Sequence, residues 1–223
     1  MLSDDEELPS RTKLIIMEIK KLIDLCLSNC YFLWENNIHQ LDNSGPIGLA
    51  LMVVISEAFL QHHEANALAT ALNRNINIKS FVRYVDDSHS RVNTIEHANQ
   101  FLEILNQQND HLKYTMEIEN KNKSLNFLDI TITNTKKGSY SYNVYRKPAI
   151  TNVQVKPHSG HDPKILKGIF IGFINRAHKI CSEQHLNDEI EFLVQTFKEN
   201  GYEENTLRTI FSQYKKKDVS QQT

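Results

Sequence analysis

From Thr12 to about Tyr31, apolar side chains at Ile15, Ile16, Ile19, Leu22, Ile23 and Leu27 recur at helical spacing, which predicts an amphipathic helix with one face turned to a core. Tyr31 to Gln40 then reads as a hairpin, an aromatic strand turning at Asn36-Asn37 into a return strand. The loop Ser44-Gly45-Pro46-Ile47-Gly48 opens a long helix from about Leu49 to Leu72 that is apolar almost all round through Leu60, the pattern of a helix buried on most faces. Between Ser80 and Val92 an alternating apolar strand runs into Asp86-Asp87, and a second short alternation follows. Because side chains alternate along a strand, Val82, Tyr84 and Asp86 share one face, and the hairpin presents two carboxylates at its tip on a buried base.

Downstream, Thr94 starts a helix to about Gln107 with Ala98, Phe101, Leu102 and Leu105 inward. Strands follow at 113–119, 125–133 and 140–146, the last after the Lys137-Gly138 turn. From Asp162 the pattern is wholly helical. One helix runs to Cys181, a second is capped by Asn187 and closed by Asn200-Gly201, and a third covers 205–217. This order predicts an α+β layer fold followed by a small all-α unit. The division it suggests is an acidic leader without fixed structure at 1–11, an α+β part at 12–145, a linker at 146–161, a helical unit at 162–217 and a tail at 218–223.

Charge adds one asymmetry. The 223 residues carry 25 Lys+Arg and 27 Asp+Glu, a formal charge of −2. Residues 1–135 hold 11 basic and 18 acidic side chains (−7), and residues 136–223 hold 14 and 9 (+5). A basic C-terminal part beside an acidic part suits a protein that grips a polyanion at one end and metal ions at the other. It equally suits two solvated surfaces. Three cysteines and no signal-peptide pattern predict a reducing, intracellular setting, nuclear or cytoplasmic. The longest apolar run, Ile47 to Leu60, is too short for a bilayer span, so no membrane partner is expected.

The candidate chemistry lies at the Asp86-Asp87 tip. Nucleotidyl transfer uses two divalent ions about 3.5–4 Å apart to bridge the attacking and leaving oxygens, and hard cations favour carboxylate oxygens held rigidly. An Asp-Asp turn closing an ordinary hairpin is the plainer reading. Likewise, the glycine-containing loop before the long helix can bring backbone close to a phosphate or merely make a tight entry to a core helix. His158, His161, His178, Cys181 and His185 offer zinc ligands, but spacing without a Cys-x-x-Cys pair is a poor zinc signal, so zinc is not expected. Cys26 and Cys30 read as small packed residues, and His62-His63-Glu64 as the wet end of the long helix.

Taken as an ordered series, the motifs become specific: Gln40 with Gly45-Pro46-Ile47-Gly48, Phe81 to Asp87, Leu125-Asn126-Phe127-Leu128-Asp129, Tyr145-Arg146-Lys147-Pro148, and Asn175 to Cys181. The series resembles the reverse transcriptases of Penelope-like retroelements over roughly residues 12–215. The resemblance implies a polymerase palm-like antiparallel sheet with packed helices, followed by a thumb or helix-turn-helix-like unit. It implies an RNA-directed DNA polymerase that uses an RNA template, a DNA primer, deoxynucleotides and Mg2+, with Mn2+ able to substitute. Asp86 would be the catalytic metal ligand and Asp87 a less direct one. Gln40, Gly45, Pro46 and Gly48 would contact template and nucleotide, and Tyr84, Phe127 and Leu128 would meet the primer. Arg146, Lys147, Lys164 and Arg176 would grip duplex backbone.

The chain also departs from that family. Only four residues separate Gln40 from Gly45, where relatives have a longer glycine-containing segment. Nothing in residues 1–31 resembles the motif that supplies the other essential aspartate, the fingers are missing, and so is the C-terminal endonuclease many relatives carry. The expectation is therefore a fragment or decayed copy, inactive alone as a polymerase, or a nucleic-acid-binding module derived from one. Helices 187–199 and 205–217 are spaced for a helix-turn-helix, yet Glu189, Glu191, Glu203 and Glu204 fall where a recognition surface should be basic, which favours a packed helical hairpin.

Overall fold

Cap chemistry marks several of the helix ends. In the computed structural model, residues 5–41, 45–46, 48–135 and 138–219 are described, with side chains as far as 214. The described elements are α1 (Leu8–Arg11), α2 (Ile16–Ser28), β1 (Tyr31–Trp34), β2 (Asn37–Gln40), α3 (Ala50–Asn73), β3 (Ile78–Tyr84), β4 (Asp87–Val92), α4 (Ile95–Asn106), β5 (Ser124–Phe127), β6 (Ile130–Asn134), β7 (Tyr140–Val144), α5 (Pro163–Ile180), α6 (Glu183–Glu199) and α7 (Glu204–Val219). The chain is thus mixed α and β, with small antiparallel sheets and a helical C-terminal unit. Part of the acidic leader is a single turn of helix, α1. Among the described residues no helix is long and apolar enough to cross a membrane.

Two compact units share the chain: Met1–Lys79 with Val92–Tyr114, and Ser80–Arg91 with Thr115–Thr223. In the first, α4 packs on α3 around Ala67, Ala71, Phe101 and Ile104. The Thr94 hydroxyl caps α4 by accepting the His97 N–H at 3.1 Å. Asn75 ends α3 at φ +58. The Asn75 and Ile76 N–H groups return to the carbonyls of Leu72 and Ala71 at 3.0 and 2.9 Å, which is a Schellman closure.

The expectation that α3 is buried on most faces is corrected. Val53 and Val54 are 70% and 66% exposed, and the buried positions lie in the second half of the helix. A helix apolar on every side needs cover on every side, and α4 covers only part of it. Glu64, expected at a wet end, is buried there.

In the second unit β5, β6 and β7 form a three-stranded antiparallel sheet. The strand expected at 125–133 is in fact a hairpin, with Phe127 opposite Ile130 and Leu128-Asp129 as the turn. Periodicity ran straight through that turn because Leu128 is apolar, although it sits at φ +55. Residues 113–119, expected as a strand, form no ladder; the side chain of Asn106 holds Tyr114 at both its N–H and its C=O, at 2.7 and 3.1 Å.

Helices α5, α6 and α7 close on a core of Phe170, Ile174, Leu193, Val194, Phe197 and Leu207. Helix α6 starts a turn earlier than expected, with Ser182 rather than Asn187 at its N-cap. Ser182 also completes the edge of β7, its N–H donating to the Tyr142 C=O and its hydroxyl accepting the Tyr142 N–H, each at 3.0 Å.

Helix α6 ends in a second Schellman motif. Gly201 lies at φ +96, and the N–H groups of Gly201 and Tyr202 reach the carbonyls of Lys198 and Phe197 at 2.9 and 3.1 Å. The rings of Tyr202 and Phe197 make the accompanying apolar contact at 5.2 Å. Residues 146–161, read from sequence as a linker, are strapped onto this corner. The buried Asn200 amide accepts the Gln154 N–H and donates to the Asn152 C=O, both at 2.9 Å, while the Tyr202 hydroxyl donates to the Val155 C=O at 2.7 Å.

Phe197 meets Phe170, Phe173 and Tyr202 ring to ring and is fully buried. Replacing Phe197 with Ala is expected to cost about 3–5 kcal/mol, read as an earlier urea midpoint for loss of helical circular dichroism.

Candidate functional site

The Asp86-Asp87 doublet sits where the sequence suggests, at the tip of a hairpin. Strands β3 and β4 pair, joined by Val85 and Asp86, and so short a link allows only antiparallel pairing. Asp87 is the first residue of β4. Val85 takes φ +56, a left-handed conformation that is unfavourable for a β-branched residue. The Arg83 guanidinium donates to the Val85 carbonyl at 3.0 Å and so holds the turn. Both carboxylates are exposed, as is Tyr84 beside them.

By strand alternation, Asp87 lies on the same face of β4 as His89 and Arg91. His89 meets the Phe127 ring at 5.5 Å, and the Arg91 guanidinium lies over Tyr140 at 4.8 Å. Burial, then the charge of Arg91, lowers the His89 pKa, so the ring is neutral at pH 7. The hairpin is therefore seated on the sheet that carries Phe127 and Leu128, bringing the carboxylates and the expected primer-contacting segment together in one unit. Among the described residues no group of three or more His, Cys, Asp or Glu side chains is placed to hold a metal. Two exposed carboxylates alone supply fewer oxygen ligands than a pair of divalent ions requires, so the donor set does not fit a two-metal centre.

Gln40, Gly45, Pro46 and Gly48 belong to the other unit. The Gln40 amide donates to the Ser28 C=O at 2.7 Å. A Cβ at Gly45 would lie 2.0 Å from Met52 Sδ, so a side chain there would displace the flexible end of Met52, on α3. Gly48 lies at φ +102, and Ile47 lies outside the described residues.

Two of the four expected backbone-gripping cations are engaged internally. Arg146 makes a bidentate pair with the buried Glu189, with one bond at 2.9 Å, and its guanidinium lies 4.0 Å from the Phe192 ring centre. Arg176 pairs with Asp129, its Nε donating at 3.0 Å. Lys147 and Lys164 are exposed. The zinc candidates are dispersed in other contacts. His185 Nε2 lies 2.8 Å from the Ser141 hydroxyl, His161 Nδ1 lies 3.0 Å from that of Ser159, and His178 packs on Tyr214. Burial raises the pKa of the Cys181 thiol.

Three of the four acidic residues that argued against a recognition surface are paired with cations, and the fourth accepts a hydroxyl. Glu189 is taken by Arg146. Glu191 accepts both Nη groups of Arg208 at 3.0 Å, and Glu204 accepts Arg208 Nε at 2.9 Å and Lys198 Nζ at 2.8 Å. Glu203 accepts the Thr206 hydroxyl at 2.8 Å. Glu191 and Glu204 lie on the α6–α7 seam and leave another face of α7 to Asn205, Thr209, Ser212 and Gln213, all exposed. Sequence reasoning counted these charges but had no means of pairing them.

Residues 154–212, which take in the end of the strap, α5, α6 and the first half of α7, match the model of the animal helix-turn-helix domain. No curated protein and no solved structure matches the chain.

Hydrogen bonds from Arg208 lower the pKa of Glu191, and those from Lys198 and then Arg208 lower that of Glu204. Folded-state values below the unfolded ones stabilise the seam above the ordinary glutamate pKa of about 4.3, and that stabilisation is lost as pH falls through the folded values. The melting temperature is expected to drop across that acid window, and more weakly so in Arg208→Ala.

Proposed function

We propose that this chain is a nucleic-acid-binding protein of reverse-transcriptase descent, related to Penelope-like retroelements. It engages template and primer through its helix-turn-helix unit and the face of the sheet beneath the Asp86-Asp87 hairpin. The observation that carries the reading is the helix-turn-helix match at 154–212, in the same unit as a carboxylate-tipped hairpin seated on Phe127. A helix-turn-helix unit is compatible with nucleic-acid binding, and Glu191 and Glu204 on its α6–α7 seam are paired with Arg208 and Lys198. The strained Val85 turn, held by Arg83, favours a functional tip over an incidental bend, since backbone strain clusters at working sites. The palm-like character of the hairpin and sheet, and RNA-directed DNA synthesis as the ancestral activity, belong to this proposal. With two exposed carboxylates as the donor set, the activity assigned to the chain itself is binding without polymerisation.

The test pairs a binding titration with an extension assay. A fluorescent DNA primer on an RNA template with a single-stranded overhang is expected to bind the purified chain, with affinity falling linearly on a log–log plot as salt rises. No extension is expected with deoxynucleotides and Mg2+ or Mn2+. Template-dependent extension that disappears in Asp86→Asn would replace the binding reading with a polymerase. Absence of salt-sensitive binding would remove the nucleic-acid reading altogether.

A further inference from the structure

A groove of about 550 Å³ opens between α5 and α7. Pro157, Pro163, Leu166, Tyr202 and Ile210 supply flat, apolar walls. The α7 side of its lining carries Asn205, Thr206, Thr209 and Gln213, and the α5 side one cation, Lys167. The Thr206 and Thr209 hydroxyls donate to Glu203 and to the Asn205 carbonyl, so toward the groove they offer acceptor oxygens beside the Asn205 and Gln213 amides. Among the described residues that line it, none is Asp or Glu.

The charges around the groove are arranged for an anion outside and a neutral ring inside. Lys167 Nζ donates to Gln213 Oε1 at 3.1 Å, so the rim cation is held beside α7 by a neutral amide rather than a carboxylate. Lys164 is exposed and three residues away on α5, close enough to share that surface. The nearest acids are turned to other tasks. Asp162 caps α5 by accepting the Lys164 N–H at 2.7 Å, Glu203 takes the Thr206 hydroxyl, and Glu204 sits in the Lys198–Arg208 pair on the α6 side. The size falls within the roughly 300–1,000 Å³ of small-ligand sites, where apolar walls bury a ring and a few polar groups orient it. Amides and hydroxyls at such a mouth match the hydrogen-bonding edge of a nucleobase, and bases can be displayed this way only when unpaired. An apolar peptide helix would fill the same walls but would bring no anion to Lys167 and no hydrogen-bonding edge to the Asn205 amide at the mouth.

We propose that the α5–α7 groove takes an unpaired base of a single-stranded nucleic acid, with the flanking phosphates on Lys164 and Lys167. This deepens the nucleic-acid-binding reading above and rests on it. It places the contact on the side of α7 that faces α5, away from the Glu191–Arg208–Glu204 cluster.

The full chain is titrated with a ten-nucleotide strand carrying 2-aminopurine, made as DNA and as RNA so that the tighter of the two identifies the sugar, and with the corresponding duplex. The strand is expected to bind at least about tenfold more tightly than the duplex, with a change in 2-aminopurine emission as the base leaves its neighbours. Thr209→Phe, at an exposed position lining the groove, should fill it and weaken strand binding by about tenfold, the scale of one lost base contact. Lys164→Ala/Lys167→Ala should reduce the salt slope for the strand by about 1.4, at about 0.7 per phosphate contact. Circular dichroism checks that the variants fold, and the 2-aminopurine signal on the unaltered chain tests base capture without any variant. Equal affinity for strand and duplex, a strand affinity unmoved by Thr209→Phe, or no emission change would each overturn the groove assignment while leaving nucleic-acid binding in place. Failure of the unaltered chain to bind any of the three would instead overturn the reading on which the inference rests.

Discussion

Glu189 lies on the buried side of α6, and a carboxylate in that position costs several kcal/mol unless a matched charge meets it. Arg146, just beyond β7, meets it with two parallel bonds and lays its guanidinium over Phe192. Neither partner is tolerable there without the other. The end of the sheet and the face of α6 therefore stay together, and with them the hairpin seated on Phe127 and the helices packed on α6. That pairing makes β5–β7 and α5–α7 parts of one unit rather than a sheet and a bundle on a leash.

A second tie works at the other end of α6. The Schellman turn at Asn200-Gly201-Tyr202 leaves the Asn200 amide inside, where it serves the backbone of Asn152 and Gln154 and accepts Lys156 Nζ at 3.0 Å. A short extended strap is fixed without strand pairing, because one side chain supplies the partners that a neighbouring strand would otherwise give. The matched helix-turn-helix region begins in this strap, at residue 154, so the strap belongs to the unit's architecture.

Much of the element order was legible because local rules wrote it. Thr94 and Asn200-Gly201 mark helix ends by cap chemistry, and the apolar stripes of α4, α5 and α6 follow from spacing alone. What escaped were features decided by tertiary partners. The turn at Leu128-Asp129 hid inside an apolar run because Leu128 adopts a conformation its identity disfavours, with Arg176 holding the Asp129 side chain beside it. The first turn of the first hairpin lies at Glu35-Asn36, both with positive φ, one residue earlier than composition suggested, because Trp34 pairs with Asn37. The roles of Arg146 and Arg176 were unreadable for a similar reason. Their partners lie 43 and 47 residues away, and only the fold reveals that those cations are already engaged.

The N-terminal hairpin carries a practical corollary. All eight residues of β1 and β2 are exposed, among them Trp34, the sole tryptophan of the sequence, at 64% exposure. An indole in water emits at long wavelength and shifts to the blue when apolar surface closes over it. The molecule thus carries its own optical gauge of whatever comes to cover that aromatic ribbon, readable without a label and without interference from a second indole.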